Sequence, residues 1–218
     1  MTKHIKSICA TLFISLFLSC NNAGPELRDR QAAMADGTII DLAEVGKKIK
    51  EAISFAEGVK EVHALVKSID ELAKGIGKKI QNNDNTLGDD TDKNTSLMAG
   101  VYSIGLDIVK KAKALKNLES IKDRDLEQKV DGVISASGEF VGKLRGQYTN
   151  LGASSGGTTD ANAKNAIDKN DRTGGKGKEE LVKLNAAIDE LLKVINGLVE
   201  TSINGLTIPA NKEVTSQS

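Results

Sequence analysis

The sequence predicts an all-α protein: an elongated bundle of about five helices, with long first and last helices packed antiparallel. Apolar residues recur every three or four positions through most of the chain, which is the period of a helix with one buried face. Only 3% of the residues are aromatic, and Ala, Lys, Leu, Ile and Val are abundant. The two prolines, Pro25 and Pro209, lie outside every helical pattern, so neither interrupts a predicted helix.

The first twenty residues predict export and attachment to a membrane. Lys3 and Lys6 precede an apolar run at 8–18, a pattern typical of a secretory signal peptide. A small residue then stands directly before Cys20, and this junction resembles a bacterial lipobox. The resemblance implies that Cys20 becomes the first mature residue and carries three acyl chains, enough for stable anchoring. The alternatives are an ordinary signal peptide cut near Ser19 and an uncleaved anchor.

The mature chain is predicted to be one tethered domain with balanced charge. Removing Lys3 and Lys6 leaves 28 basic against 30 acidic residues, a net charge of −2, which does not favour nucleic acid as a partner. Cys9 leaves with the signal peptide and Cys20 is predicted to carry lipid, so no disulfide is expected. The predicted segments are a signal peptide at 1–19, a lipidated flexible stalk at 20–37, a helical bundle ectodomain at 38–206 and a disordered tail at 207–218.

Each helix is predicted from its apolar stripe and its capping residues. Asp41, with Glu44 three residues later, predicts a capping box at the start of a first helix that runs to about Gln81. Ser120 and Asp123 predict the cap of the third helix, and Thr159 begins the short fourth. The later stripes span 97–115, 126–151, 160–169 and 178–203. Packing the first and last helices antiparallel would place both chain ends at the membrane.

Three glycines mark one face of the third helix. Gly138, Gly142 and Gly146 are spaced four residues apart, and each costs about 1 kcal/mol of helix propensity relative to alanine. We expect this cost to be offset by the close approach of another helix, since no side chain stands between the backbones. The approaching helix could belong to the same chain or to a second copy.

Two loops contain residues typical of ligand sites but lack the full motifs. Asp90, Asp92 and Asn94 match the opening of an EF-hand loop, yet Thr95 stands where glycine is needed and Val101 where glutamate is needed. We therefore expect a solvated loop at 82–95 and no metal site.

The second of these loops is rich in glycine and lysine. The letters GGKGK at 174–178 invite comparison with a phosphate-binding loop, but Glu179 follows where Ser or Thr is required and no strand precedes. His63 is the only histidine left after processing, so no Ser-His-Asp or Cys-His set can form. We expect no catalytic residue, no enzyme activity and no cofactor.

Several blocks of sequence resemble one family. They are KEVH at 60–63, SIDELAKGIGKKI at 68–80, SLMAGVY at 96–102, TDA at 159–161 and KG at 176–177. Together with Cys20 and their order along the chain, these blocks resemble the variable small proteins of relapsing-fever spirochaetes, which are related to outer surface protein C.

The resemblance implies an outer-membrane lipoprotein that faces the exterior and forms a homodimer through its long helices. It also implies antigenic variation, in which one such gene is expressed at a time and switching replaces the coat that host antibodies recognise. Loops at 82–95, 150–158 and 170–177 are consistent with that role, because loops tolerate sequence change better than a core does.

The alternative is an adhesin for a host glycosaminoglycan or another host protein. Its site would use lysines at helix ends, such as Lys74, Lys78 and Lys79, and the basic region at 164–178. Lysines in the last turns of a helix are, however, favoured by the helix dipole alone. The neutral overall charge also argues against a dedicated anion site.

Overall fold

The computed structural model describes residues 31–33, 39–82, 85–118, 124–152 and 157–204, which belong to two compact units. The predicted all-α helical bundle is confirmed. The helices of the described residues are α1 (Leu42–Leu72), α2 (Thr95–Lys116), α3 (Arg124–Gly146), α4 (Tyr148–Leu151), α5 (Asp160–Ile167) and α6 (Lys178–Asn204). The predicted signal peptide, Cys20 and the predicted tail lie outside the described residues.

The first unit comprises Met1–Gly46 and Ala210–Ser218. Its described part holds two strands, β1 (Gln31–Ala33) and β2 (Ile39–Asp41), which pair antiparallel. The sequence predicted neither strand, and β1 falls within the predicted stalk. The predicted cap of α1 is confirmed, because Asp41 Oδ1 accepts hydrogen bonds from the amides of Ala43 (2.8 Å) and Glu44 (3.2 Å).

The second unit, Lys47–Pro209, contains the helical bundle. α1 and α6 are antiparallel, as predicted. His63 Nε2 lies 3.5 Å from Asp189 Oδ1, and Lys67 Nζ donates to Asn185 Oδ1 at 2.8 Å. Residue numbers therefore rise along α1 where they fall along α6.

The other neighbouring helices also alternate in direction. Two contacts at different heights fix the direction of each pair. α2 meets α1 at Lys111–Glu61 (2.7 Å) and at Leu115–Gly58. α2 meets α3 at Lys116–Asp131 (2.7 Å) and at Gly105–Val141, and α3 meets α6 at Lys129–Glu190 (2.5 Å) and at Glu139–Lys183 (3.7 Å). The end of α1, the start of α2, the end of α3 and the start of α6 therefore lie together. We call the segments that connect them, 73–94 and 147–177, the loop end of the bundle. The C-terminus of α6 lies at the opposite end.

The apolar stripes predicted from the sequence form one core. The side chains of Val62, Val101, Val133 and Leu184, one from each long helix, are fully buried in it. None of the described helices combines the length and apolarity that a bilayer span requires.

The first helix ends earlier than predicted. After α1 the chain forms a 3₁₀ turn at Ala73–Gly75, and Ile76 is extended at φ −62° and ψ 125°. Gly77 follows with φ +67°, a conformation that a helix does not contain. The apolar period that continues to Ile80 was therefore misleading, since Ile80 is 90% exposed.

The segment after Gly77 forms a hairpin that the sequence did not predict. Strand β3 (Lys78–Ile80) pairs antiparallel with β4 (Leu87–Asp89), and Lys78 Nζ donates to Asp89 Oδ1 at 2.6 Å. Lys78 and Lys79 thus lie on a strand. The helix-dipole interpretation of these two lysines was wrong, because no helix ends there.

The third predicted helix is divided into two. α3 ends at Gly146, Gln147 departs from helical geometry with φ −99° and ψ 20°, and α4 begins at Tyr148. The predicted cap residues Ser120 and Asp123 lie outside the described residues. α5 begins as predicted, because Thr159 Oγ1 accepts a hydrogen bond from Asn162 N.

The prediction of a close helix approach at the glycine face of α3 is wrong within this chain. A Cβ built on Gly138, Gly142 or Gly146 has no described atom within 4 Å outside its own helix backbone. Among the described residues nothing packs against these glycines, so their low helix propensity is not offset by a described neighbour.

Gly138→Ala is therefore expected to stabilise the protein by about 0.5–1 kcal/mol, because alanine favours the helix and its methyl group meets no atom. Urea denaturation measures the change. Gly105→Ala is the matched contrast and is expected to lack this gain, since its Cβ would lie 3.0 Å from Val141 Cγ2 and the Val141 side chain would have to move. Destabilisation by Gly138→Ala would contradict the open face and point to a second copy packed there.

Candidate functional site at the loop end

Two of the three loops that the sequence predicted as exposed are tied together at the loop end. Asp92 N donates to Asp160 Oδ1 at 2.9 Å, and Asp160 N donates to Asp92 Oδ1 at 2.8 Å. Asp92 has φ 60°, a left-handed conformation that aspartate tolerates better than most residues. This reciprocal pair joins the loop before α2 to the first turn of α5.

Asn94 is the buried centre of this connection, with only 2% of its surface exposed. Its Oδ1 accepts a hydrogen bond from Gly77 N at 2.8 Å. Its Nδ2 donates to Thr158 O at 3.1 Å and to Asp160 Oδ1 at 2.8 Å. One side chain therefore links the end of the α1 segment, the start of α2 and the loop before α5.

Thr158 completes the network from the other side and is fully buried. Its amide donates to Thr95 Oγ1 at 2.9 Å, and its hydroxyl donates to the carbonyl of Leu151 at 2.8 Å. Its carbonyl accepts from the amide of Asn94 at 3.1 Å as well as from the Asn94 side chain. The loop that follows α4 is thereby held against the first turn of α2.

The expectation that 82–95 is a solvated loop is wrong for its last residues. The Asp92 and Asn94 side chains, which had suggested an EF-hand, are used in internal hydrogen bonds. No group of three or more His, Cys, Asp or Glu side chains able to hold a metal occurs in the described ranges. No local pattern in the sequence indicates the network, because the residues that close it, Asp92 with Asp160 and Asn94 with Thr158, lie more than sixty positions apart.

The glycine-rich loop before α6 is held by the protein's own carboxylates. Asp171 Oδ1 accepts hydrogen bonds from Thr173 N and Gly174 N, both at 2.9 Å. Glu179 Oε2 accepts from Gly175 N at 2.9 Å. A phosphate-binding loop offers such amides to an anion, whereas here they already bind carboxylates.

Several of the lysines considered for a ligand site are engaged in pairs. Besides the Lys78–Asp89 pair, Lys169 Nζ donates to Asp70 Oδ2 at 2.6 Å, and Lys178 Nζ donates to the carbonyl of Asp171 at 2.7 Å.

His63 lies half-buried between α1 and α6, as expected of a boundary residue, with 31% of its side chain exposed.

The loop end contains carboxyl groups with lowered pKa values. Hydrogen bonds from the Asn94 side chain and then from the Asp92 amide lower the pKa of Asp160. The amide of Gly174, with a smaller contribution from that of Thr173, lowers the pKa of Asp171. Each group accepts hydrogen bonds more strongly as a carboxylate, so folding favours its ionised form.

Stability is therefore expected to fall in acid. A carboxyl whose pKa is lower in the folded state stabilises the fold above its ordinary pKa, which is 3.8 for Asp, and loses this contribution as the pH falls through the folded value. The free energy of unfolding, measured in urea between pH 7 and pH 3, is expected to decrease below about pH 4.

Asp160→Asn tests the origin of this acid dependence. The variant is expected to show a shallower decrease than the parent, because one ionising acceptor is gone. Asp107→Asn is the matched control, since the exposed Asp107 accepts no hydrogen bond from the described residues and should leave the acid slope unchanged. An equal slope in Asp160→Asn and in the parent would contradict the account.

Comparison with known proteins shows which sequences and structures this chain resembles. A lipoprotein family model, Lipoprotein_6, matches residues 39–212. Variable small protein 11 of Borrelia hermsii is 41% identical over 212 residues, covering 96% of this chain and 99% of that protein. An outer surface protein C of Borreliella burgdorferi is also 41% identical over 212 residues, covering 96% and 95%.

A solved structure agrees with the sequence relatives. Variable small protein 1 of Borrelia turicatae is 45% identical and superposes with a TM-score of 0.71, covering 76% of this chain and 99% of that one. These matches agree with the fold. They also agree with the resemblance carried by the blocks of sequence at 60–80, 96–102 and 159–177. The chain belongs to the family of surface lipoproteins that contains the variable small proteins and outer surface protein C.

Proposed function

We propose that this protein is a surface antigen held on the outer membrane by lipid at Cys20, and that it acts by being displayed and replaced rather than by catalysis. The observation that carries the proposal is the direction of the helices. α6 ends at the opposite end of the bundle from the loops at 73–94 and 147–177. An anchor on the side where α6 ends would leave the loop end facing outward.

The loop end suits a surface that changes sequence while the fold persists. Its shape is set by a few internal contacts, centred on Asn94 and Thr158, together with the carboxylates of Asp160, Asp171 and Glu179. Exposed positions between these contacts can vary with little effect on stability. Antigenic variation requires this combination of a fixed frame and replaceable surface residues.

The anchor is tested by substituting Cys20. Cys20→Ser is expected to move the protein from the detergent phase to the aqueous phase on phase partition, since the acyl chains supply the membrane affinity. Cys9→Ser is the matched control and should remain in the detergent phase. Unchanged partition of a Cys20→Ser chain that is shown to have lost residues 1–19 would exclude attachment at this residue, since an uncleaved apolar run at 8–18 would by itself hold the chain in the detergent phase.

Antigenic variation is tested by immune selection. Clonal cells that express this protein are grown with serum raised against its mature chain. Outgrowing cells are expected to have stopped transcribing this gene and to express another member of the family. Survivors that keep the same protein on their surface would contradict the proposal.

We also propose a homodimer formed through the long helices. Light scattering of a chain that begins at Asn21, and so lacks the lipid, is expected to give twice the chain mass. A monomer at high concentration would mean that the helices of one chain satisfy the apolar stripe of α1 by themselves.

An adhesin role is the second candidate, and one observation favours it. Lys164, Arg172 and Lys176 form no ion pair within 4 Å among the described residues, and their side chains could approach a sulfated host glycosaminoglycan, although Lys164 also acts at longer range on Asp160 and Asp171. Retention on heparin at low salt, reduced by Lys164→Gln with Lys176→Gln but not by Lys110→Gln with Lys113→Gln, would support it. No retention at low salt would exclude a charge-based site.

A further inference from the structure

A pocket of about 360 Å³ opens at the loop end between α2, α3 and α4. Its volume lies within the range of small-molecule sites, and most of its lining is apolar. The lining side chains that matter here are Met98, Tyr102, Leu144, Arg145, Tyr148 and Leu151. Neither the proposed anchor nor the network around Asn94 requires this space.

The pocket exists because α3 and α4 are separate helices. The break at Gln147 places Tyr148 and Leu151 on a short helix of their own. α2 supplies the opposite wall from Thr95, Met98, Ala99 and Tyr102, which share one face at helical spacing. A single continuous helix through 126–151, as the sequence predicted, would not place Tyr148 and Leu151 on a separate helix at the pocket.

The polar groups at the pocket favour an anion with an apolar body. Arg145 forms no ion pair or hydrogen bond with any described residue, and no acidic side chain lines the pocket. Both tyrosines of the protein, Tyr102 and Tyr148, lie at its wall, and Tyr148 is 71% exposed. Their hydroxyl groups have no hydrogen-bond partner among the residues described, so they can donate to a ligand oxygen.

We propose that this pocket binds a small aromatic monocarboxylate. Its ring contacts Met98, Tyr102 and Leu151, and its carboxylate pairs with the guanidinium of Arg145, which can bind both oxygens at once. The burial of an aromatic ring supplies most of the affinity, and Arg145 selects for negative charge. Thr95 Oγ1 is not assigned to the carboxylate, because it accepts a hydrogen bond from Thr158 N and its hydroxyl can donate to Thr158 Oγ1 at 3.3 Å.

The test is isothermal titration of 1-naphthylacetate into a chain that begins at Asn21, which retains the whole compact unit Lys47–Pro209. Arg145→Gln is expected to weaken binding about tenfold through loss of the charge-assisted pair. Arg172→Gln is the matched control, removing an arginine that does not line the pocket, and is expected to leave the affinity unchanged. Ala99→Phe, at an exposed lining position, is expected to abolish binding by filling the space.

A neutral ligand separates the two parts of the proposal. The parent is expected to bind 1-naphthylacetamide about tenfold more weakly than 1-naphthylacetate. The Arg145→Gln variant is expected to bind the amide and the acid with equal affinity. No heat of binding at millimolar concentration would overturn the proposal. Equal weakening by Arg145→Gln and Arg172→Gln would do the same, because binding would then reflect overall charge.

Discussion

Phe140→Ala is expected to lower the free energy of unfolding by about 3–5 kcal/mol, the usual cost of removing a fully buried phenylalanine ring. Phe140 belongs to α3 and has no exposed surface. Its ring lies within 3.7 Å of a Cβ built on Gly105 and within 3.5 Å of one built on Gly177. Because it packs against both α2 and the residue before α6, the cavity left by alanine would loosen three elements together.

Urea denaturation of the chain that begins at Asn21 measures this effect. Val182→Ala is the control, since Val182 lies on α6 with 45% of its surface exposed and its loss should change the free energy by no more than about 0.5 kcal/mol. A loss below about 1 kcal/mol for Phe140→Ala would mean that the ring is not enclosed as described.

Asn94→Ala is expected to cost about 2–3 kcal/mol. The buried amide of Gly77 loses its acceptor, and an unsatisfied buried donor costs about 1–3 kcal/mol. Thr158 O keeps its bond from the Asn94 backbone, and Asp160 Oδ1 keeps its bond from Asp92 N, so the remaining loss is smaller. The effect is concentrated at the loop end, because all of these groups lie there.

Hydrogen exchange gives this prediction a local readout. In Asn94→Ala the amides of Gly77 and Thr158 are expected to exchange faster, whereas those in the middle of α3 change only with global stability. Asn82→Ala is the matched control, because the exposed Asn82 forms no hydrogen bond with the described residues. If the amides of Gly77 and Thr158 exchange at the same rate in Asn94→Ala as in Asn82→Ala, Asn94 does not hold the loop end together.

The sequence predicted the helices and their packing faces well, for a physical reason. Each long helix has an apolar stripe at helical spacing, and burying that stripe is what stabilises the bundle. Val62, in the first predicted helix, and Leu184, in the stripe at 178–203, are both fully buried. Asp41 and Thr159 were predicted as caps because their side chains act on amides two or three residues away.

The errors lie where long-range contacts or backbone conformation decide the structure. The helical period continues to Ile80, but Gly77 adopts φ +67° and the chain turns into a hairpin. Asn94 resembled a solvated loop residue, although partners from distant positions bury it. Local patterns carry no information about such partners. The break at Gln147, which creates the pocket, directly follows Gly146. The spacing of that glycine with Gly138 and Gly142 predicts one shared helix face rather than the end of a helix.

The central claim is that lipid at Cys20 holds the bundle on the outer surface. Mass spectrometry of the N-terminal peptide, taken from protein extracted from membranes, tests it most directly. The account predicts a peptide that begins at Cys20 and carries a diacylglycerol thioether and an amide-linked acyl chain. A peptide with an unmodified Cys20 thiol, recovered from protein in the aqueous phase, would contradict it.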